Sequence, residues 1–226
     1  MLFLDLDGTL LRDERRHYAA YASVLETPEM RGVPIPSKEY WALRRKGEPW
    51  EGLLRRSRLL PMKFGGFREA FEAKREAPEL LSLDTLAEGA KTFLGKLYTK
   101  TPIVLVTQRW DGGALEAQLE GLGVRSFFAE TLHGAPRPER RPSPDRRGRH
   151  KAALVRARYR LLPNDAVYLG DTETDVQAAR ILGFAAWLVE GGHRDKARQV
   201  KSDPDRIVAN LGASLAHLLP GGRWQR

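Results

Sequence analysis

The chain opens on Leu2-Phe3-Leu4-Asp5-Leu6-Asp7-Gly8, a short apolar run that closes on two carboxylates one residue apart. Such a run suits a buried strand of a parallel sheet that delivers its acids at the carboxyl end. Comparable apolar runs recur at residues 103–106, 166–169 and 185–189. Between them the period changes. Leu83, Ala87, Ala90, Leu94 and Leu97 step by three or four and predict a helix that residues 100–102 end. Leu115, Leu119 and Leu122 predict another, capped by Asp111 and stopped by Gly123, and residues 176–182 a third, stopped by Gly183. Residues 124–132 are expected to hold a strand with its exit, residues 205–219 to close the domain, and residues 220–226 to fray. Strands alternating with helices predict a doubly wound α/β core around a parallel sheet.

One long stretch breaks this alternation. From residue 13 to 82 the strand pattern vanishes and aromatics, Leu and Arg recur at helical spacing, as in Tyr40-Trp41-x-Leu43 and Phe67-x-x-x-Phe71. Breakers at Pro28, Pro34, Pro36, Pro49, Pro61, Gly65-Gly66 and Pro78 predict several short helices. The chain therefore divides into an α/β core, residues 1–12 and 83–226, and an inserted helical unit, residues 13–82. Its aromatics are expected to pack as helix core. The clusters Arg44-Arg45-Lys46 and Arg55-Arg56 with Arg58 are expected on solvated faces, one or two of them turned to a cleft. Residues 133–150 interleave Pro136, Pro138, Pro142 and Pro144 with six arginines, among them Arg140, Arg141, Arg146 and Arg147. This segment predicts a basic surface loop.

Chemistry gathers at the ends of the predicted strands. Side chains alternate along a strand, so Asp5 and Asp7 face one pocket, and Gly8 lets the chain turn off the sheet directly afterwards. A calcium loop also contains Asp-x-Asp-Gly, but it wants a further acidic or amide position before its glycine and flanking helices. The strand at 103–106 ends on Thr107-Gln108-Arg109, and the strand at 166–169 on Gly170-Asp171-Thr172-Glu173-Thr174-Asp175. A strand-end hydroxyl and the next backbone N–H can hold a phosphoryl oxygen. Two or three carboxylates offer hard oxygen ligands of the kind Mg²⁺ takes. A helix cap is the plain alternative for Asp175.

Asp5-Leu6-Asp7-Gly8-Thr9-Leu10 resembles the first motif of the haloacid dehalogenase-like superfamily, most of whose members are magnesium-dependent phosphohydrolases. Candidates for the other three motifs follow in order: Thr107, Lys151 and Gly170-Asp171-x-x-x-Asp175. The resemblance implies a Rossmann-like core with a helical cap, residues 13–82, closing over the active site as in phosphoglycolate phosphatase-like members. It implies that Asp5 attacks phosphorus, that Asp7 serves as acid and then base, and that Thr107 and Lys151 cradle the phosphoryl group beside Gly8 and Gln108. Mg²⁺ would sit among Asp5, Asp171 and the backbone carbonyl of Asp7, with Asp175 close by. Many members place a proline soon after the third-motif lysine, whereas Ala152 and Ala153 follow Lys151 here, so Arg149 is kept as its alternate. Asp at position 7 speaks against dehalogenase chemistry, which needs no leaving-group acid.

Composition narrows the picture. A chain of 226 residues with 42% hydrophobic and 30% charged content is that of a soluble globular protein. The absence of cysteine excludes a disulfide scaffold, a thiolate zinc site and a cysteine nucleophile. No basic segment precedes the first apolar run and no run approaches a membrane span, so a cytoplasmic location without membrane contact is expected. The net charge of +9 favours an anionic partner. A small phosphorylated substrate comes first. A nucleic-acid-binding module with vestigial phosphatase activity, and a sugar-phosphate mutase, remain as alternatives. The five histidines are scattered singly and expected in structural or surface roles, except His193, whose loop leaves a core strand.

Overall fold

The computed structural model describes residues 1–134 and 146–219. Its centre is a six-stranded, all-parallel sheet in the order β5-β4-β1-β6-β7-β8, formed by Leu2–Leu4 (β1), Ile103–Val106 (β4), Glu130–Leu132 (β5), Val167–Gly170 (β6), Ala185–Val189 (β7) and Arg206–Val208 (β8). β1 lies between β4 and β6, with Phe3 level with Val104 and Tyr168. The two-residue period of these strands divides the core into two layers. Leu2, Leu4, Leu105, Leu169 and Trp187 join one apolar cluster; Phe3, Val104, Val106, Tyr168 and Leu188 join the other.

Helices cover both faces. Ala90–Leu97 (α6), Gly112–Gly121 (α7) and Leu211–Leu218 (α11) pack on the first layer through Phe93, Leu119 and Leu218. Arg147–Arg158 (α8) and Glu173–Leu182 (α9) pack on the second through Val155, Val176 and Leu182. The short helix Lys196–Lys201 (α10) follows β7. The fold is the doubly wound α/β class that strand and helix alternation implied. Among the described residues no helix is long and apolar enough to cross a membrane.

Between β1 and α6 the chain leaves the sheet and returns. Leu11–Arg12 (β2) pairs antiparallel with Thr85–Leu86 (β3), so the outgoing and incoming strands lie side by side. Helices Glu14–Leu25 (α1), Ser37–Lys46 (α2), Trp50–Arg56 (α3), Phe64–Lys74 (α4) and Pro78–Leu81 (α5) occupy the interval. They enclose an apolar cluster of their own, which includes Tyr21, Tyr40, Leu54, Phe67 and Phe71.

Several local expectations are corrected. Gly65-Gly66 does not break the chain but lies in the first turn of α4. The helix expected from Leu83 starts only at Ala90, because Gly89 adopts φ +73° and Asp84 is drawn to a buried arginine. The strand expected from residue 124 is confined to β5, after a 3-10 turn at Arg125–Phe127. The basic loop ends earlier than expected: no proline follows Pro144 for many residues, and α8 begins at Arg147. The fourth-motif helix begins at Glu173, not Val176; its cap is Thr172, and Asp175 is the third helical residue of a capping box. Residues 135–145, with Pro136 to Pro144, and the tail 220–226 lie outside the described residues.

Candidate active site

Asp5 follows β1, Thr107 follows β4 and Asp171 follows β6, so three adjacent strands aim these residues at one cleft. This is the crevice where a doubly wound sheet changes winding direction and where such sheets bind ligands. The cleft has a volume of about 120 Å³. Its walls include Asp5, Asp7, Thr107, Gln108, Lys151 and Asp171 from the core, and His17, Trp41, Arg44 and Arg75 from the helical segment.

Lys151, in the second turn of α8, is buried and donates to Asp5 Oδ1 at 2.5 Å and to Asp175 Oδ1 at 2.6 Å. Arg149 is exposed, which leaves Lys151 as the cation at these carboxylates. Burial, reinforced by Asp175 and Asp171, holds the Asp5 carboxyl well above its ordinary value although Lys151 pulls the other way. Asp175 is fully engaged: its Oδ2 accepts from the backbone N–H groups of Asp171 and Thr172 and from the Thr172 hydroxyl.

Asp7, two residues on, has the opposite surroundings. Arg109 grips it with Nε to Oδ2 at 2.8 Å and Nη2 to Oδ1 at 2.7 Å, and Arg16 donates to Oδ1 at 2.6 Å. Although burial acts to raise it, Arg109 and Arg16 hold the Asp7 carboxyl well below its ordinary value. Both arginines are themselves buried, and both also reach Asp84.

A third cluster links the core to the helical segment. His193, in the loop after β7, lies 3.2 Å from Asp171 Oδ2 through Nδ1 and 3.0 Å from Asp13 Oδ1 through Nε2. Burial lowers its pKa, but Asp13 and Asp171 outweigh this and raise it well above the ordinary histidine value. Next to it His17 is buried, bonded to the Tyr40 hydroxyl at 2.8 Å and held well below the ordinary value by burial, with His193 and Arg44 adding to the effect.

The carboxylates of Asp5, Asp171 and Asp175 offer oxygens within 4.8 Å of one another. Asp171 Oδ1 is buried and has no hydrogen-bond partner among the described residues. An orphaned carboxylate oxygen beside two further buried acids is a costly arrangement that a hard cation offsets. The donor set therefore fits Mg²⁺, with Asp171 and Asp5 offering oxygens and Asp175 beside them, held by Lys151 and by the Asp171–Thr172 turn. The Asp7 carboxylate lies outside that cluster. Gly8 adopts φ +81°, and a Cβ there would collide with Asp171 Oδ2.

Some cleft residues went unassigned in the sequence. Trp41 and His17, expected in structural roles, line the cleft, as does Arg44 from a cluster expected to be mostly solvated. Arg16, Arg109 and Asp84 carried no motif signal. Arg109 was nonetheless findable, since it stands two residues after Thr107 at the same strand end. Most of the basic segment that raised the nucleic-acid reading lies in 135–145, outside the described residues, but Arg147 lines the cleft.

Comparison with known proteins agrees with this geometry. A curated phosphoglycolate phosphatase from Synechococcus elongatus is 28% identical over 209 residues, covering 92% of this chain and 91% of its own. One from Chromobacterium violaceum is 29% identical over 165 residues, covering 72% of this chain and 68% of its own. Among solved structures, a haloacid dehalogenase-like hydrolase from Streptococcus pneumoniae superposes with a TM-score of 0.75 at 21% identity, covering 96% of this chain and 97% of its own. The sequence model of the haloacid dehalogenase-like hydrolases matches residues 1–183, and the chain belongs to that family of enzymes, in which it is similar to the phosphoglycolate phosphatases.

Proposed function

We propose that the protein is a Mg²⁺-dependent phosphatase that hydrolyses a small phosphomonoester through an aspartyl-phosphate on Asp5. The observation that carries this reading is the meeting of Asp5, Thr107, Lys151 and Asp171 in one cleft at the ends of β1, β4 and β6. Asp5 attacks phosphorus in line and the leaving alcohol departs, which splits one hard hydrolysis into two steps. Lys151 lies against the nucleophile and offsets charge on the transferred group, while Thr107, the Gln108 backbone and the turn at Gly8 hold its oxygens. Bound Mg²⁺, held by Asp5, Asp171 and the Asp7 carbonyl with Asp175 behind them, would reduce the repulsion between an anionic nucleophile and an anionic substrate.

Asp7 handles the proton. Held ionised by Arg16 and Arg109, it is in the form that takes a proton from the water attacking the aspartyl-phosphate. To protonate the leaving oxygen in the first step it must already have taken up a proton from solvent, which requires the grip of Arg109 to loosen. Residues 13–82 act as the cap: Trp41 and Arg44 on α2 and His17 on α1 border the cleft and exclude water from it. Arg44, Arg147 and Arg194 line the cleft, and burial together with their mutual proximity lowers the Arg44 guanidinium from its ordinary value. That concentration of cations favours a small anionic substrate. The relatives named as phosphoglycolate phosphatases put phosphoglycolate first among substrates to try.

The test is phosphate release from a panel of phosphometabolites, with Mg²⁺ and with chelator. Release from at least one member, only with Mg²⁺, is expected. Isomerisation without net phosphate release would instead identify a mutase, and no turnover of any member would refute both.

A further inference from the structure

The two oxygens of Asp171 have unlike surroundings. Oδ2 accepts the His193 backbone N–H at 2.5 Å and lies 3.2 Å from Nδ1 of the same residue, whereas Oδ1 is buried with no hydrogen-bond partner among the described residues. The other ring nitrogen of His193 is 3.0 Å from Asp13 Oδ1, so the imidazole cannot swing from one carboxylate without leaving the other. Its remaining freedom is small. Trp41 meets the ring edge-on with centroids 5.4 Å apart, and the His17 ring is 5.8 Å away. The backbone is equally confined, because a Cβ on Gly8 or on Gly192 would collide with Asp171 Oδ2.

Each carboxylate oxygen has two lone pairs, and Asp171 Oδ2 already meets the backbone N–H and Nδ1 of His193, so Asp171 is left with Oδ1 to offer a cation. Ca²⁺ takes six to eight oxygens at about 2.3–2.6 Å and readily uses both oxygens of one carboxylate; Mg²⁺ takes six at about 2.0–2.1 Å and keeps several waters. Asp175 is poorly placed to supply both oxygens, since its Oδ2 already takes three donors and its Oδ1 the Lys151 ammonium. Residues that bond a ligand from behind fix its orientation and contribute measurably to metal affinity. We propose that His193 is a positioning residue that restricts Asp171 to one-oxygen ligation and thereby biases the cation site toward Mg²⁺ and against Ca²⁺. This rests on the cation site assigned above to Asp5 and Asp171.

The test is calorimetric titration of the purified full chain with Mg²⁺ alone and with Ca²⁺ alone, in the wild type, His193→Asn, His193→Phe and, as reference, Asp171→Asn. Asn is too short to touch both carboxylates; Phe keeps the ring against Trp41 but has no nitrogen. Both His193 variants should bind Mg²⁺ about tenfold more weakly or worse, in line with the loss of other residues that support metal ligands. Ca²⁺ should lose less, because Asp171 Oδ2, left with the backbone N–H of residue 193 and without Nδ1, regains a lone pair for a second ligand oxygen, so the ratio of the two Kd values should move toward Ca²⁺. A merely structural role for His193 would lower the Tm of the cation-free protein and leave that ratio alone. The proposal is overturned if a folded His193 variant keeps the wild-type ratio while Asp171→Asn has lost Mg²⁺ affinity. If Asp171→Asn binds Mg²⁺ as tightly as the wild type, the cation site itself is misassigned and the proposal goes with it. Should His193→Phe not fold, His193→Asn, the smaller change, decides.

Discussion

Asp5 and Asp7 stand two residues apart on one strand exit, yet they occupy opposite electrostatic seats. Asp5 shares a single lysine with Asp175 and is pushed toward protonation by burial and by the neighbouring Asp175 and Asp171; Asp7 is gripped by two buried arginines and is pushed away from it. The strand places both side chains and decides neither protonation state. Burial acts to raise both, so the difference is set by their partners, which come from α8 and α9 for Asp5, and from α1 and the exit of β4 for Asp7. A carboxylate short of cations suits work beside a metal ion, and one rich in them is kept ionised, free of a proton until its guanidiniums withdraw.

Four measurements bear on this contrast. Asp5→Asn should lower phosphate release by roughly 10⁴-fold or more, since the amide is no nucleophile and losses of that order follow removal of such a group. Circular dichroism should show the fold intact, and retained turnover would remove Asp5 from the reaction. Arg109→Met leaves Asp7 and Asp84 with one guanidinium between them. Breaking a buried ion pair from one side costs about 3–5 kcal/mol, to be read from the urea midpoint. An unchanged midpoint would mean that Asp7 is not held electrostatically.

The third concerns His17, where burial acts with no carboxylate to oppose it. Its folded pKa lies well below the ordinary 6.5, so the unfolded chain takes up the proton first. The stability it contributes is present above pH 6.5 and is lost as pH falls through that value toward the folded pKa. The Tm advantage of wild type over His17→Gln should therefore shrink between pH 7.5 and 5, and parallel melting curves would show that His17 is not held neutral. The smallest effect is expected from Arg149→Ala, since this exposed residue shares a helix with Lys151 but not its seat. A kcat/KM lowered more than a few-fold would reopen the choice between the two cations.

Local order in the chain explains what could be read early. Asp5, Asp7 and Gly8 declared themselves because strand, acids and turn are contiguous; Gly170-Asp171 and Asp175 did so for the same reason. Thr107 needed only the end of an apolar run. Lys151 needed the family resemblance, since nothing local separates it from the arginines before it. Arg16, Asp84 and the Asp13–His193 pair could not be read, because each gains its meaning from a partner far along the chain. The false helix start at Leu83 has a related cause. Its spacing fits a helix, but Asp84 serves a buried arginine 68 residues away, and no local period records that.

The pairing of β2 with β3 bears on how this protein could be rebuilt. Neighbouring strands lie about 5 Å apart, so to the sheet everything between Arg12 and Thr85 is topologically a single loop, and a short turn could bridge the gap without stretching the core. Such a shortcut would also delete Arg16 and Asp84 and leave Arg109 and Asp7 facing each other at an open surface. The segment is detachable in geometry but not in charge. A graft from a relative should therefore carry its own residues for positions 16 and 84 together, as one matched pair.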